Sequence, residues 1–138
     1  INSNDRHIEH ALSMIVAHKI KRIGIVGLTF KANTDDLRES PLLELVKQLR
    51  ERGHDISYFD PNVGPKELLK MGLDKQASHS RCTNIDQLIN DTELVVIGHN
   101  TDYGRDCARL AERFMPVVDL VGLGNSFKYA KNCQGICW

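Results

Sequence analysis

The length, composition and charge of the chain already narrow what it can be. Its 138 residues suit one domain of ordinary size, and 41% hydrophobic against 26% charged residues is the balance of a globular protein with a core. Eighteen Lys and Arg residues balance eighteen Asp and Glu residues, so no net charge attracts the chain to nucleic acid or to an anionic membrane. We therefore expect neither as a partner.

Neither a membrane span nor a secretion signal is indicated. No segment approaches the roughly 20 consecutive apolar residues that cross a bilayer, and the polar first seven residues lack the apolar core of a signal peptide. The four cysteines form no Cys-x-x-Cys pair: Cys82, Cys107, Cys133 and Cys137. We expect a cytoplasmic location, reduced and mostly structural thiols, and no metal site.

The first half of the chain alternates between helical and strand patterns. Apolar residues at helical spacing predict an amphipathic helix near the start, and a short apolar run ending in glycine is typical of a buried parallel strand. A capping serine followed by proline indicates where the second helix begins. In chain order the predicted elements are a helix over about 4–19, a strand over 22–28, a helix that starts at Ser40 and Pro41 and is stopped by Gly53, and a strand over 55–60.

The second half repeats the alternation after a stretch of weaker signal. That stretch reads as one short helix over 65–71 and a polar loop over 76–82. The predicted elements that follow are a helix capped by Asn84, a strand over 93–99, a helix over 103–114, a strand over 116–122 and a final edge strand over 135–138. We therefore predict one α/β domain with a Rossmann-like, doubly wound parallel sheet, in which ligands bind at the carboxyl ends of the strands.

The connection after the first strand is the candidate functional segment. Residues 29–39 exceed the usual 2–6 residues of a strand-to-helix loop, and no third glycine completes a G-x-G-x-x-G dinucleotide fingerprint. Lys31 and Arg38 could neutralise phosphate oxygens or orient a carboxylate, and Asp35 and Asp36 could hold either cation or a ribose hydroxyl. The loop therefore suits a polar, phosphorylated ligand. An internally salt-bridged surface loop is the alternative.

Two further carboxylates lie at or near strand ends. Asp60 and Asp119 could each meet a ribose, but both fit better as residues that cap a turn. Asp60 also lies further from Gly27 than the roughly 20 residues at which the dinucleotide fingerprint places its ribose-binding acid.

The loop resembles a longer and more specific pattern. Residues 27–41 read Gly-Leu-Thr-Phe-Lys-Ala-Asn-Thr-Asp-Asp-Leu-Arg-Glu-Ser-Pro and are similar to the G-L-x-F-K-x-x-T-D-D-x-R-x-S-P signature of the UDP-glucose/GDP-mannose dehydrogenase family. The resemblance continues through residues 58–61, 117–119 and 135–138. It implies that residues 21–138 are the family's C-terminal nucleotide-sugar-binding domain. Residues 1–20 would then be a linker helix from a central dimerisation region, in a homodimer or higher homo-oligomer.

The resemblance also implies an activity for the whole enzyme. The family oxidises the C6 alcohol of a nucleotide sugar to a carboxylate in two steps, with two NAD molecules and a cysteine nucleophile. An N-terminal domain binds most of the NAD, and neither its fingerprint nor the Gly-Gly-Ser-Cys-type nucleophile motif occurs in this chain. We therefore expect no catalytic residue here and no turnover by the chain alone. By position, Phe30 and Lys31 resemble the family's substrate-binding pair, and Arg38 resembles the arginine that reaches the cofactor.

One departure from the family pattern bears on the substrate. Members that oxidise UDP-glucose commonly follow the aspartate of the late strand with Gly-Arg, whereas Asp119 is followed here by Leu-Val-Gly. This sequence and the Gly-Ile-Cys-Trp ending resemble the members that convert GDP-mannose to GDP-mannuronate, a precursor of alginate. A UDP-glucose or other UDP-sugar dehydrogenase is the first alternative. A nucleotide-binding module without catalysis, or a docking domain that binds no nucleotide, is the alternative from another class.

Overall fold

The computed structural model describes residues 3–28, 41–64, 66, 79–121 and 133–135. Within these ranges the helices and strands follow one another in an alternating order. They are α1 (Ser3–Val16), β1 (Arg22–Val26), α2 (Pro41–Glu51), β2 (Asp55–Phe59), β3 (His79–Arg81), α3 (Ile85–Asp91), β4 (Leu94–Ile97), α4 (Asp102–Ala111), β5 (Val117–Asp119) and β6 (Cys133–Gly135).

The strands form one parallel sheet in the order β3-β2-β1-β4-β5-β6. This is the strand order of doubly wound, dinucleotide-binding folds, so the predicted fold class is confirmed. The central strands are buried on both faces, as the continuous burial of β4 shows, and this explains why apolar runs rather than alternating patterns indicated them in the sequence.

Successive side chains of a strand lie in two separate hydrophobic cores, one on each face of the sheet. Leu94 and Val96 of β4 face the core covered by α1 and α2, and Val95 and Ile97 face the core covered by α3 and α4. The alternation follows from the two-residue period of a strand. Helix α1 is part of the first core through Ala11, Leu12 and Ile15, so its apolar stripe is covered by this domain itself.

Several predicted boundaries need correction. The polar loop expected over 76–82 is wrong, because His79–Arg81 form the edge strand β3, which among the described strands pairs with β2 alone. An edge strand of three residues needs no apolar run, so periodicity does not reveal it. The other edge strand, β6, begins earlier than the predicted 135–138, and residues 136–138 lie outside the described residues. Of the helix expected over 65–71, only Lys66 is described, and it is helical.

The helix ends also differ from their predicted positions. Helix α1 ends at Val16 rather than near residue 19, and Lys19 has a left-handed backbone (φ 53°) before β1 begins. Helix α4 ends at Ala111 rather than at 114, and Phe114 beyond it is 74% exposed. Across the described residues, no helix is long and apolar enough to cross a bilayer; the cytoplasmic location stays a prediction of the sequence.

Candidate functional site at the carboxyl ends of the strands

The connections that follow β1 and β4 lead to opposite faces of the sheet. Helix α2, which comes after β1, packs in the core with α1, whereas α4, which comes after β4, packs in the core with α3. The two strands are neighbours with their last residues in register, Val26 beside Ile97. Such a divergence opens a crevice at the carboxyl ends of the strands, where ligands bind in this class of fold.

Two glycines and one histidine form the floor of this crevice. Gly27, just after β1, has φ +86°, and a Cβ there would lie 2.9 Å from Cγ of His99 and closer still to Cδ2. Gly98, just after β4, donates its N–H to the Val26 carbonyl at 2.8 Å, and a Cβ there would lie 2.7 Å from the Gly27 carbonyl oxygen. The buried His99 ring therefore lies over Gly27, and only glycine fits beneath it.

The carboxylate of Asp60 holds the ends of β1 and β2 together. Its Oδ2 accepts the N–H of Leu28 and its Oδ1 accepts the N–H of Asn62, each at 2.9 Å. The side chain is only 4% exposed. Asp119, fully buried at the end of β5, accepts the N–H of Val121 at 2.9 Å in the same way. The interpretation that both aspartates order turns is confirmed by these bonds.

Asp60→Ala should lower the free energy of unfolding by about 2 kcal/mol, because the buried Leu28 N–H loses this charged acceptor and the turn at Asn62 loses its anchor. Asp55→Ala, at the exposed start of the same strand, is the matched control and should change it little, since its ion pair with Lys21 is exposed. Urea unfolding of the chain measures both. Equal losses in the two variants would contradict the role given to Asp60.

The amino end of α4 closes one side of the crevice. Thr101 is the N-cap, and its Oγ1 accepts the N–H of Gly104 at 3.1 Å. Arg105 donates to Oδ1 of Asn100 at 2.5 Å and also pairs with Asp102. The connection from β4 to α4 is therefore fixed by its own polar side chains.

Tyr103, in the first turn of α4, reaches across the end of β1 to β2. Its ring meets the Phe59 ring edge to face, with centroids 5.6 Å apart and planes at 86°. Burial, and secondarily the Asp60 carboxylate, raises the pKa of Tyr103 to about 12, and a hydrogen bond with the Thr101 side chain opposes part of this rise. The phenol is thus neutral throughout the physiological pH range.

The binding residues expected from the loop lie outside the described part of the chain. This holds for Phe30, Lys31 and Arg38, and equally for Asp35, Asp36 and the predicted cap Ser40. What the structure does fix are both anchors of that loop: Leu28 ends the segment after β1, and α2 begins at Pro41. Leu28, the last described residue before the loop, therefore lies at the carboxyl end of β1.

Sequence reasoning overlooked the β4–α4 connection as a second wall of the crevice. The loop after β1 is a candidate because ligands in this class of fold bind at the carboxyl ends of the strands. The same rule applies to residues 98–103, which follow β4. Applying it there would have identified His99, Thr101 and Tyr103. The long first loop drew attention because of its length, which the second connection lacks.

The buried thiols are structural. Cys82 and Cys107 are free and buried, and burial raises the pKa of Cys107 to about 12 and that of Cys82 to about 11, with Asp91 adding to the effect at Cys82. Neither is an activated nucleophile, since a reactive thiol has a lowered pKa. Within the described ranges, no three His, Cys, Asp or Glu side chains are grouped as a metal site would require.

Known proteins are similar to this chain in both sequence and fold. The family model described as "UDP-glucose/GDP-mannose dehydrogenase family, UDP binding domain" matches residues 24–121. GDP-mannose 6-dehydrogenase of Pseudomonas syringae pv. syringae is 34% identical over the whole chain, which covers 33% of that enzyme.

Two solved structures have the same fold. The ternary complex of GDP-mannose dehydrogenase from Pseudomonas aeruginosa matches 99% of this chain with a TM-score of 0.82 and 30% identity, and the chain covers 32% of it. UDP-glucose dehydrogenase from Pyrobaculum islandicum matches 97% of this chain with a TM-score of 0.75 and 26% identity, and the chain covers 30% of it. The chain thus spans about one third of the length of each of these relatives.

The signature in the loop, the strand order and the match of the family model over most of the chain agree with one another. The chain belongs to the UDP-glucose/GDP-mannose dehydrogenase family, within the domain that the family model describes as UDP-binding.

Proposed function

We propose that the chain is the nucleotide-sugar-binding domain of an NAD-dependent GDP-mannose 6-dehydrogenase. The whole protein would oxidise the C6 alcohol of GDP-mannose to the carboxylate of GDP-mannuronate, a precursor of polysaccharides such as alginate, and pass two hydrides to two NAD molecules in turn. The observation that carries the proposal is the similarity of the Pseudomonas syringae enzyme over the whole chain. The NAD would be bound mainly by a domain that this chain does not contain.

The loop from residue 29 to 40 supplies the proposed ligand contacts. Phe30 and Lys31 bind the nucleotide sugar, and the Lys31 ammonium stabilises the negative charge that develops on the reacting oxygen. Arg38 presents a bidentate guanidinium to the cofactor held by the other domain. The residues that flank the loop support this assignment, because Leu28 lies at the end of β1 and Leu42, in the first turn of α2, packs against Gly98 at the end of β4.

The first helix and the assembly complete the proposal. Residues 1–20 form the linker from a central dimerisation region, residues 21–138 form the nucleotide-sugar-binding domain, and the protein is a homodimer or a higher homo-oligomer. Ala11, Leu12 and Ile15 support the linker role, because their burial in the first core fixes the direction in which α1 leaves the domain. The partners are the nucleotide sugar and the protein's own NAD-binding domain.

Arg38→Ala in the complete protein should raise the KM for NAD by about tenfold and change the KM for the nucleotide sugar little, because a charged hydrogen bond to the cofactor is lost. Arg38→Lys should behave like Arg38→Ala, since a lysine cannot replace a bidentate fork. Initial rates at varied NAD concentrations measure both. If Arg38→Ala keeps the wild-type KM for NAD, Arg38 does not bind the cofactor and its role is structural.

A UDP-sugar dehydrogenase is the second candidate. It is favoured by the similarity in fold to the Pyrobaculum islandicum UDP-glucose dehydrogenase. Against it stands the Leu120-Val121 sequence after Asp119, where UDP-glucose-oxidising members commonly have Gly-Arg.

The two candidates are separated by a direct comparison of substrates. The complete protein is assayed with GDP-mannose and UDP-glucose side by side, and we expect a kcat/KM at least 100-fold higher for GDP-mannose. Guanine has hydrogen-bond donors at N1 and N2 that uracil lacks. A site whose acceptors bind these donors would leave the same buried acceptors without a partner when UDP is bound, and UDP would therefore bind more weakly. A higher kcat/KM for UDP-glucose would overturn the choice of substrate and leave the family membership intact.

A further inference from the structure

Helix α4 and the turn that follows it expose two large apolar side chains. Leu110 is 38% exposed and Phe114 is 74% exposed. The N–H groups of Phe114 and Met115 both donate to the Ala111 carbonyl at 2.9 Å, so the chain completes one more turn beyond the end of the helix. Residues four positions apart lie on the same side of a helix. Leu110 and Phe114 therefore form an apolar strip on the protein surface.

The charged residues beside this strip are ordered by sign along the helix. Asp106 is an exposed acid, and Arg109 and Arg113, one and two turns further on, are exposed bases. Their spacing puts all three on the side of Leu110 and Phe114, and these five residues form the α4 face. Within one chain Asp106 and Arg109 approach to 3.9 Å, an exposed pair that contributes little to stability. The α4 face thus changes from negative to positive along its length.

A groove of about 550 Å³ lies between the α4 face and the start of α3. Its lining residues are Asn84, Ile85, Asp86, Asp106, Arg109 and Leu110. Ile85 is half-buried and adds apolar surface to that of Leu110, while Asp86 is a second exposed acid near Asp106. Clefts of roughly 300–1,000 Å³ hold whole small ligands, so the groove has room for one aromatic side chain. The same face therefore carries an exposed phenyl ring and, two turns earlier, a groove that could receive one.

We propose that the α4 face binds the same face of a second copy of this chain, with the two α4 helices antiparallel about a twofold axis. Such an axis makes every contact twice, because residue i of one copy meets residue j of the other and j meets i. With the axis between Arg109 and Leu110, Asp106 lies opposite Arg113 of the second copy. Phe114 of each copy then lies opposite the groove of the other, where its ring is covered.

The order of the charges favours a second copy over a different partner. A face that changes sign along its length is complementary to itself when reversed, whereas a partner with a single sign of charge would be repelled by one half of it. Arginine and aromatic side chains are also enriched in protein–protein interfaces. The proposal assigns a surface to the proposed homo-oligomer. It does not depend on the substrate, because it uses no residue of the crevice.

The test reverses charges on the α4 face and follows the association of the complete protein by sedimentation equilibrium. Asp106→Arg leaves only bases on the face, and Arg113→Asp puts acids at both of its ends. Each variant should therefore repel its own copy and associate through this face about tenfold more weakly than the wild type, or weaker still. An equal mixture of the two variants should regain the wild-type association, because each reversed residue then meets the opposite charge on the other variant.

Glu51→Arg is the matched control, because Glu51 is an exposed acid at the end of α2, on the opposite side of the sheet. It should associate as the wild type does. Equal masses of the wild type and both variants at every protein concentration would overturn the proposal, as would be found if the α4 face packed against the protein's own NAD-binding domain. Two weakened variants that do not recover on mixing would also overturn it. Both outcomes leave the proposed oxidation of the nucleotide sugar untouched.

Discussion

Gly27→Ala should destabilise the chain by about 2 to 5 kcal/mol, the largest effect we expect from any single methyl group added at a described glycine. Two costs combine at this position. The backbone has φ +86°, where a side chain costs about 1–2 kcal/mol, and the new Cβ would overlap the buried His99 ring, whose displacement costs a further 1–3 kcal/mol or so.

Gly53→Ala separates these two costs. Gly53 ends α2 with nearly the same backbone, φ +91°, but a Cβ there would meet no atom within 4 Å. The control should therefore lose only the conformational cost of about 1–2 kcal/mol. Urea unfolding of both variants gives the comparison. If Gly27→Ala is no less stable than Gly53→Ala, the His99 ring does not lie over Gly27 in solution.

Lys31→Ala in the complete protein should lower kcat by about 100-fold or more and raise the KM for the nucleotide sugar much less. An ammonium that acts on charge present only in the transition state contributes to the rate rather than to ground-state binding, and loss of one such donor costs roughly 3 kcal/mol. Steady-state kinetics at saturating NAD measures the two constants separately.

Lys47→Ala is the matched control for the change in charge, because Lys47 is an exposed lysine of α2. It should leave kcat and both KM values unchanged. Small and equal effects of Lys31→Ala and Lys47→Ala would favour the alternative that the loop is only a salt-bridged part of the surface.

The elements that could be predicted from the sequence are those whose own residues form a recognisable helix or strand pattern. Strand β4 is a run of four buried apolar residues, and α2 has an amphipathic pattern and a glycine at its end, so both are found without knowing their neighbours. Strand β3 is a polar triplet that, within the described part of the chain, pairs with β2 alone. No local pattern encodes that partnership.

The same distinction separates the two walls of the crevice. The loop after β1 is conspicuous in sequence because it is long and matches a family signature. The contact of Tyr103 with Phe59, and that of His99 with Gly27, join residues far apart in the chain and exist only once β1 lies between β2 and β4. Their positions follow from strand order, which the periodicity of a single sequence does not determine.

The most direct test of the central claim is the number of NADH molecules formed per nucleotide sugar consumed. For the complete protein with excess NAD and limiting GDP-mannose, two NADH per sugar and a carboxylate product are predicted, whereas the 138-residue chain alone should form none, because it has neither the dinucleotide fingerprint nor the nucleophile motif. Tight binding of GDP-mannose by the complete protein with no NADH formed would contradict the claim and identify a binding module without catalysis.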